Sequence, residues 1–172
     1  MKDSRIRLPL IIFTSVLVAD QITKNIVLNY IDFGQSISVW GEWIRFTLVL
    51  NPGGAFSLRL VSPVYYLILS IVIFTILIWF IYYKREATYL SLPLSFVAGG
   101  AAGNIIDRLR FGEVVDFIDC EFFDINIGSY HLDRWPIFNI ADAAISCGII
   151  ATIVLTFYLS AKSENEVEDI SE

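Results

Sequence analysis

The sequence predicts a mainly α-helical membrane protein, with four transmembrane helices and a small sheet on one side of the bilayer. Three observations predict it. The chain is 172 residues long and 56% hydrophobic, whereas soluble domains hold about 45–50% apolar residues; its mean hydropathy is +0.65. The apolar residues gather in four stretches, each close to the ~20 residues a helix needs to cross the hydrocarbon. Between the first two stretches lies a segment with a period of two, the repeat of a half-buried strand.

The first span runs from about 8 to 28. Lys2, Arg5 and Arg7 precede the apolar run Leu8–Ala19 in the manner of a signal peptide. No small-x-small cleavage site precedes Asp20, so the segment is expected to stay as a span. It carries Asp20 and Lys24, spaced i, i+4 on one helix face. After it, Ile44, Phe46, Leu48 and Leu50 alternate with Trp43, Arg45, Thr47 and Val49. Ile37 and Val39 precede a Gly41-Glu42 break, which predicts a hairpin. Asn51-Pro52-Gly53-Gly54 stops the strand. Such a sheet can lay its apolar face on lipid headgroups or against a lipidated substrate.

The second span, 64–83, holds no charge and ends in aromatic residues just before Lys84-Arg85, an aromatic belt meeting a basic loop. The third, 89–106, tolerates Pro93 if that residue falls in the first turn. The fourth runs from 137 to 159. Residues 1–162 are expected to form one domain, and the acidic segment 163–172 a disordered cytoplasmic tail. Lys2, Arg5, Arg7, Lys84, Arg85 and Lys162 flank the spans closely on one side, whereas the arginines of the other side are spread through longer loops. Both termini are therefore expected to be cytoplasmic.

Composition also excludes functions. No basic stripe exists, so no nucleic-acid partner is expected. Cys120 and Cys147 suggest no disulfide framework, and His131 alone offers no zinc-type spacing. No cofactor is expected.

Ionisable groups inside spans are costly and mark function or a specific pair. Asp20 with Lys24 is either a structural ion pair near the outer boundary or a wall of the active site. Asn104, Asp107 and Arg108 lie at i, i+3 and i+4 at the outer end of the third span. Gly99 and Gly103 on that helix form a small-xxx-small pair that lets helices approach closely. Asn139 and Asp142 share a face of the fourth span. Asp142 finds no partner in its own helix, so Asp107-Arg108 or another carboxyl must come to it. Asp116, in Val114-Val115-Asp116-Phe117, reads by itself as an ordinary solvent-facing strand residue. Two carboxyls brought together change that reading, since one keeps a proton while the other is a base. That arrangement activates water and protonates a departing amine. No Gly-x-Ser-x-Gly or phosphate-binding loop competes with it. A proton-coupled transporter using the same carboxyls as a relay is the rival from another class, and an inactive tetraspan adaptor a third reading.

Five segments, in order, resemble the bacterial lipoprotein signal peptidase family (signal peptidase II, an aspartic peptidase family). They are Asp20-Gln21-Ile22-Thr23-Lys24, Asn51-Pro52-Gly53-Gly54-Ala55-Phe56, Gly99 through Arg108, Val114-Val115-Asp116-Phe117, and Phe138-Asn139-Ile140-Ala141-Asp142. The resemblance implies four transmembrane helices with an extracytoplasmic β-cradle, and Asp116 and Asp142 as the catalytic dyad. It implies that Asp20, Asn51, Asn104, Arg108 and Asn139 line and order the site, and Lys24 and Gly53 are taken with them. It implies a diacylglyceryl-modified prolipoprotein as substrate, cut before the lipidated cysteine. A monomer among lipids of the bacterial cytoplasmic membrane is expected, with the site near the outer face. Residues 119–135 are longer than the pattern suggests and are expected to form a flap over the site.

Overall fold

The computed structural model describes residues 4–53, 62–84, 87–121, 125–127, 130–132 and 134–171. These form helices α1 (Ser4–Tyr30), α2 (Pro63–Tyr83), α3 (Thr88–Phe111) and α4 (Ile140–Ser171). They also form strands β1 (Ser36–Trp40), β2 (Ile44–Asn51), β3 (Val114–Cys120), β4 (Ile125–Ile127) and β5 (Tyr130–Leu132). Each helix contains a stretch long and apolar enough to cross a membrane. Residues 54–56 of the second resembling segment, together with Lys2 and Arg85, lie outside the described residues.

Helix α3 is the centre of the bundle, packing against α1, α2 and α4. Its sequence explains the position. Asp20 of α1 lies so close to Gly103 that a Cβ there would collide with its carboxylate. Helix α2 is the opposite case: its mean hydropathy is 2.6 and it buries none of its residues within the protein. An all-apolar helix with no protein core of its own is a lipid-facing helix.

Strands β1, β2 and β3 form one antiparallel sheet in that order. The predicted hairpin turns where the Gly41-Glu42 break places it. The apolar face of the sheet packs on the C-terminal end of α1, where Leu48, Val115 and Phe117 join Val27 and Ile31 in the buried core. Period-two alternation then turns Asp116, between Val115 and Phe117, to the opposite face. Beyond β3, Arg134 pairs with Asp119 at 2.7 Å and with Glu121, and Thr47 donates to Asp119 at 2.8 Å. The segment expected as a flap is thus tied at both ends to the sheet, with the short β4–β5 hairpin between.

Four expected boundaries shift. Helix α3 continues past 106 to Phe111 and stops at Gly112, whose φ of 77° is the left-handed C-terminal cap that favours glycine. Pro93 lies beyond the first turn, because the helix begins at Thr88. Helix α4 starts at Ile140 and not at 137. Phe138 pairs with Ile118 as an extended bridge, its carbonyl accepting the Phe117 and Ile118 amides, which holds it out of the helix. At the other end, the helical backbone of α4 runs to Ser171 where a disordered tail was expected; that segment contains neither Gly nor Pro to stop it.

Candidate active site

Two carboxyls from different elements meet at one cleft. The cleft encloses about 310 Å³ and is lined by Asn51, Gly53, Asn104, Arg108, Asp116 and Asp142, with Trp135–Phe138 forming one wall. Asp116 is only 2% exposed, so the solvent-facing reading of this residue taken alone is wrong. The sheet turns it away from water and into the cleft, opposite the core residues on either side of it.

Asn51 comes to Asp116 through strand register. Val49 pairs with Asp116 and Asn51 with Val114, so Asn51 is the diagonal neighbour on the same face. Its Nδ2 donates to Asp116 Oδ2 at 3.0 Å, while its Oδ1 accepts the Gly53 amide at 3.0 Å. That second bond fixes which way the amide points.

Asn139 and Asp142 open α4 as a reciprocal pair. Asn139 Oδ1 accepts the Asp142 amide at 2.9 Å, and Asp142 Oδ2 accepts the Asn139 amide at 3.3 Å. This is a capping box with aspartate at its third position. Asp142 therefore does have a partner at its own helix end, contrary to expectation, and it sits in the first turn. The same Asn139 is fully buried, and its Nδ2 donates to Asp116 Oδ1 at 2.6 Å and to Asn104 Oδ1 at 3.1 Å. Asn104 in turn donates to Asp142 Oδ1 at 2.8 Å. The two aspartates are thus joined by a bridge of two amides.

Arg108 reaches the Gly53 carbonyl at 3.3 Å and its own helix at the Asn104 carbonyl at 3.4 Å. It is the cation on the cleft wall, placed beside the two carboxyls as expected. Asp107 is not: it turns away from the cleft. Its Oδ2 lies 2.7 Å from Lys24 Nζ, which also holds Asp20 at 2.9 Å and Asn104 Oδ1 at 3.0 Å. Asp20 and Lys24 stand behind the cleft and touch it through Asn104. Gln21 joins them, donating to Asp107 Oδ1 at 3.0 Å and Asp20 Oδ2 at 3.2 Å. Sequence reasoning missed Gln21, and of the partners it left open for Asp142, Asp107 goes to Lys24 instead. The available signal was the i, i+3 spacing of Asn104 and Asp107, which puts both on one face.

Burial pushes the Asp116 carboxyl up to about 7, with the charge of Asp142 adding to it. Hydrogen bonds from Asn51 and Asn139 and the charge of Lys24 act the other way. Burial, aided by Asp119, also raises the Cys120 thiol, so Cys120 is a buried, protonated and inert thiol.

The family model described as Signal peptidase (SPase) II matches residues 12–158. Among curated proteins, the lipoprotein signal peptidase of Syntrophus aciditrophicus is 38% identical over 156 residues, covering 85% of this chain and 92% of its own. That of Pelodictyon phaeoclathratiforme is 36% identical over 145 residues, covering 83% and 85%. A bacterial membrane enzyme solved by the in meso method at 2.3 Å superposes with a TM-score of 0.74 at 32% identity, over 90% of each chain.

Proposed function

The chain belongs to the signal peptidase II family, a membrane protease that removes signal peptides from prolipoproteins, and we propose that Asp116 and Asp142 are its catalytic dyad. The observation that carries the assignment is the amide bridge of Asn139 and Asn104, which holds the two carboxyls on one cleft. The proton-relay transporter finds no support among these relatives.

The reaction follows from the asymmetry of the pair. Asp116, nearly enclosed and raised to about 7, is the acid; Asp142, at the helix N-terminus where negative charge is favoured, is the base. Asp142 takes a proton from water as its oxygen attacks the scissile carbonyl carbon. Asp116 gives its proton to the carbonyl oxygen. On collapse, the proton held by Asp142 passes to the departing amine nitrogen, the C–N bond breaks, and Asp116 recovers a proton from the hydroxyl. Asn51 and Asn139 hold Asp116 in place, Asn104 holds Asp142, and Arg108 with Gly53 borders the bound backbone.

The substrate is a prolipoprotein whose cysteine carries a diacylglyceryl group, cut immediately before that cysteine. The surroundings of the cleft support this: it opens where α3, α4 and the sheet converge, beside two helices apolar enough to span a bilayer, an arrangement that lets acyl chains stay in lipid while the peptide bond reaches the dyad. The protein is proposed to work as a monomer. Both termini face the cytoplasm and the cleft faces outward.

A cleavage assay in detergent tests the dyad. Wild type should release the signal peptide with a new end before the lipidated cysteine, read by mass. Asp116→Asn and Asp142→Asn should abolish cleavage while remaining folded. If either variant cuts as well as wild type, the dyad is wrongly assigned.

A further inference from the structure

Behind the cleft lies an ion cluster that touches no reacting atom, and its backbone partners are its informative feature. Asp20, Lys24 and Asp107 are 0%, 2% and 1% exposed. The three N–H bonds of the Lys24 ammonium match its three partners, Asp20 Oδ2, Asp107 Oδ2 and Asn104 Oδ1. Each carboxylate also accepts one backbone amide from another element. Asp107 Oδ2 accepts the Val115 amide at 3.1 Å, and Asp20 Oδ1 accepts the Ala141 amide at 2.9 Å. Val115 directly precedes Asp116, and Ala141 directly precedes Asp142.

We propose that Asp20, Lys24 and Asp107 form a caliper that sets the separation of the two catalytic aspartates by gripping the backbone one residue before each. The proposal rests on the dyad assignment above. One jaw, Asp107, holds β3; the other, Asp20, holds the first turn of α4; Lys24 is the pivot. The third Lys24 bond sets the span between the side chains. A donor-only ammonium forces the Asn104 oxygen toward it, so the Asn104 amide must donate to Asp142. A cluster that served only to pair charges would have no need of these two amides. Asp20, Lys24 and Asp107 are therefore positioning residues.

The test separates spacing from charge and from folding. Replacing Val115 by its α-hydroxy acid turns the amide into an ester, deleting the N–H that Asp107 holds while leaving every charge in place. Replacing Ala141 by lactic acid does the same at the other jaw. Each should lower kcat by up to ~100-fold, the loss that about 1 Å of misplacement causes, with KM little changed. Each should also draw the alkaline limb of the pH profile to lower pH, because a more distant Asp142 raises Asp116 less. Asp107→Asn and Lys24→Met should lower kcat likewise, and the double variant should be no worse than Lys24→Met, as for residues acting as one unit. If charge variants fail to fold, the esters decide the matter. Ester variants with wild-type kcat and pH profile would overturn the caliper, as would a loss confined to KM. The dyad reading fails separately, by continued cleavage in Asp116→Asn or Asp142→Asn.

Discussion

At the scale of single residues, Asp116 makes two pH-dependent predictions. Its carboxyl stands at about 7 in the fold against an ordinary 3.8. As the proposed acid it must be protonated, so kcat/KM should fall as pH rises through about 7, and a profile flat across that region while chemistry limits turnover would refute its role. Stability follows the same group. A carboxyl with a raised folded value contributes stability that is fully present below 3.8 and lost as pH rises through its folded value. Thermal unfolding of wild type should therefore shift to lower temperature between about pH 4 and 7, and Asp116→Asn should flatten that dependence. Residue-level reading of the sequence reached this carboxyl only by supposing a second carboxyl beside it, and through the resemblance. Its flanks, Val115 and Phe117, looked like a strand surface, and nothing local shows that the carboxyl between them meets Asn51 and Asn139. The partnership of Asp107 with Lys24 was hidden for the same reason, since it joins α1 to α3 across the bundle.

Elements bring different consequences. The start of α4 is held by a capping box whose third position is Asp142, one of the two carboxyls proposed as the dyad. Asn139→Ala should cost about 0.5–2 kcal/mol through the lost cap, measurable by thermal unfolding. It should cut kcat far more than that figure implies, because the bridge to Asp116 goes with it. Gly103→Ala is the complementary test on α3. A methyl there would drive into the Asp20 carboxylate, so stability should fall by about 1–3 kcal/mol, the usual cost of overpacking; retention of full stability and activity would show that α1 can yield. Element type was well marked in the sequence, and element ends less so. Four apolar runs and one alternating run were visible as composition and period. The shift of the α4 start to Ile140 was not, because Phe138 is held extended by a strand about 20 residues earlier in the chain. The end of α3 was misplaced although its signal was present. Gly112 follows Arg108 and Arg110, the usual basic last turn and glycine stop.

For the whole molecule, the arrangement is a division between lipid and a compact polar end. Helix α2 gives its surface to lipid, while α1, α3, α4 and the sheet converge on the carboxyls. The proposed orientation, with both termini cytoplasmic, predicts that single cysteines placed at Ser36 and at Ser163, in a background lacking Cys120 and Cys147, differ in intact cells. A membrane-impermeant thiol reagent should label the first and not the second. The reverse pattern would invert the orientation. This large-scale arrangement was the most legible part of the sequence, because bilayer thickness fixes helix length and charge cannot be hidden in lipid.

The amide frame of the cleft has a further consequence, for how the protein ages. Asn51, Asn104 and Asn139 are heat-sensitive residues, and deamidation of any one would replace a donor with a further negative charge beside the two carboxyls. Their successors in the chain are Pro52, Ile105 and Ile140. A proline offers no backbone N–H to attack the side-chain amide, and a β-branched isoleucine hinders that attack. The three positions where a slow chemical lesion would silence the protein are each followed by a residue that slows it.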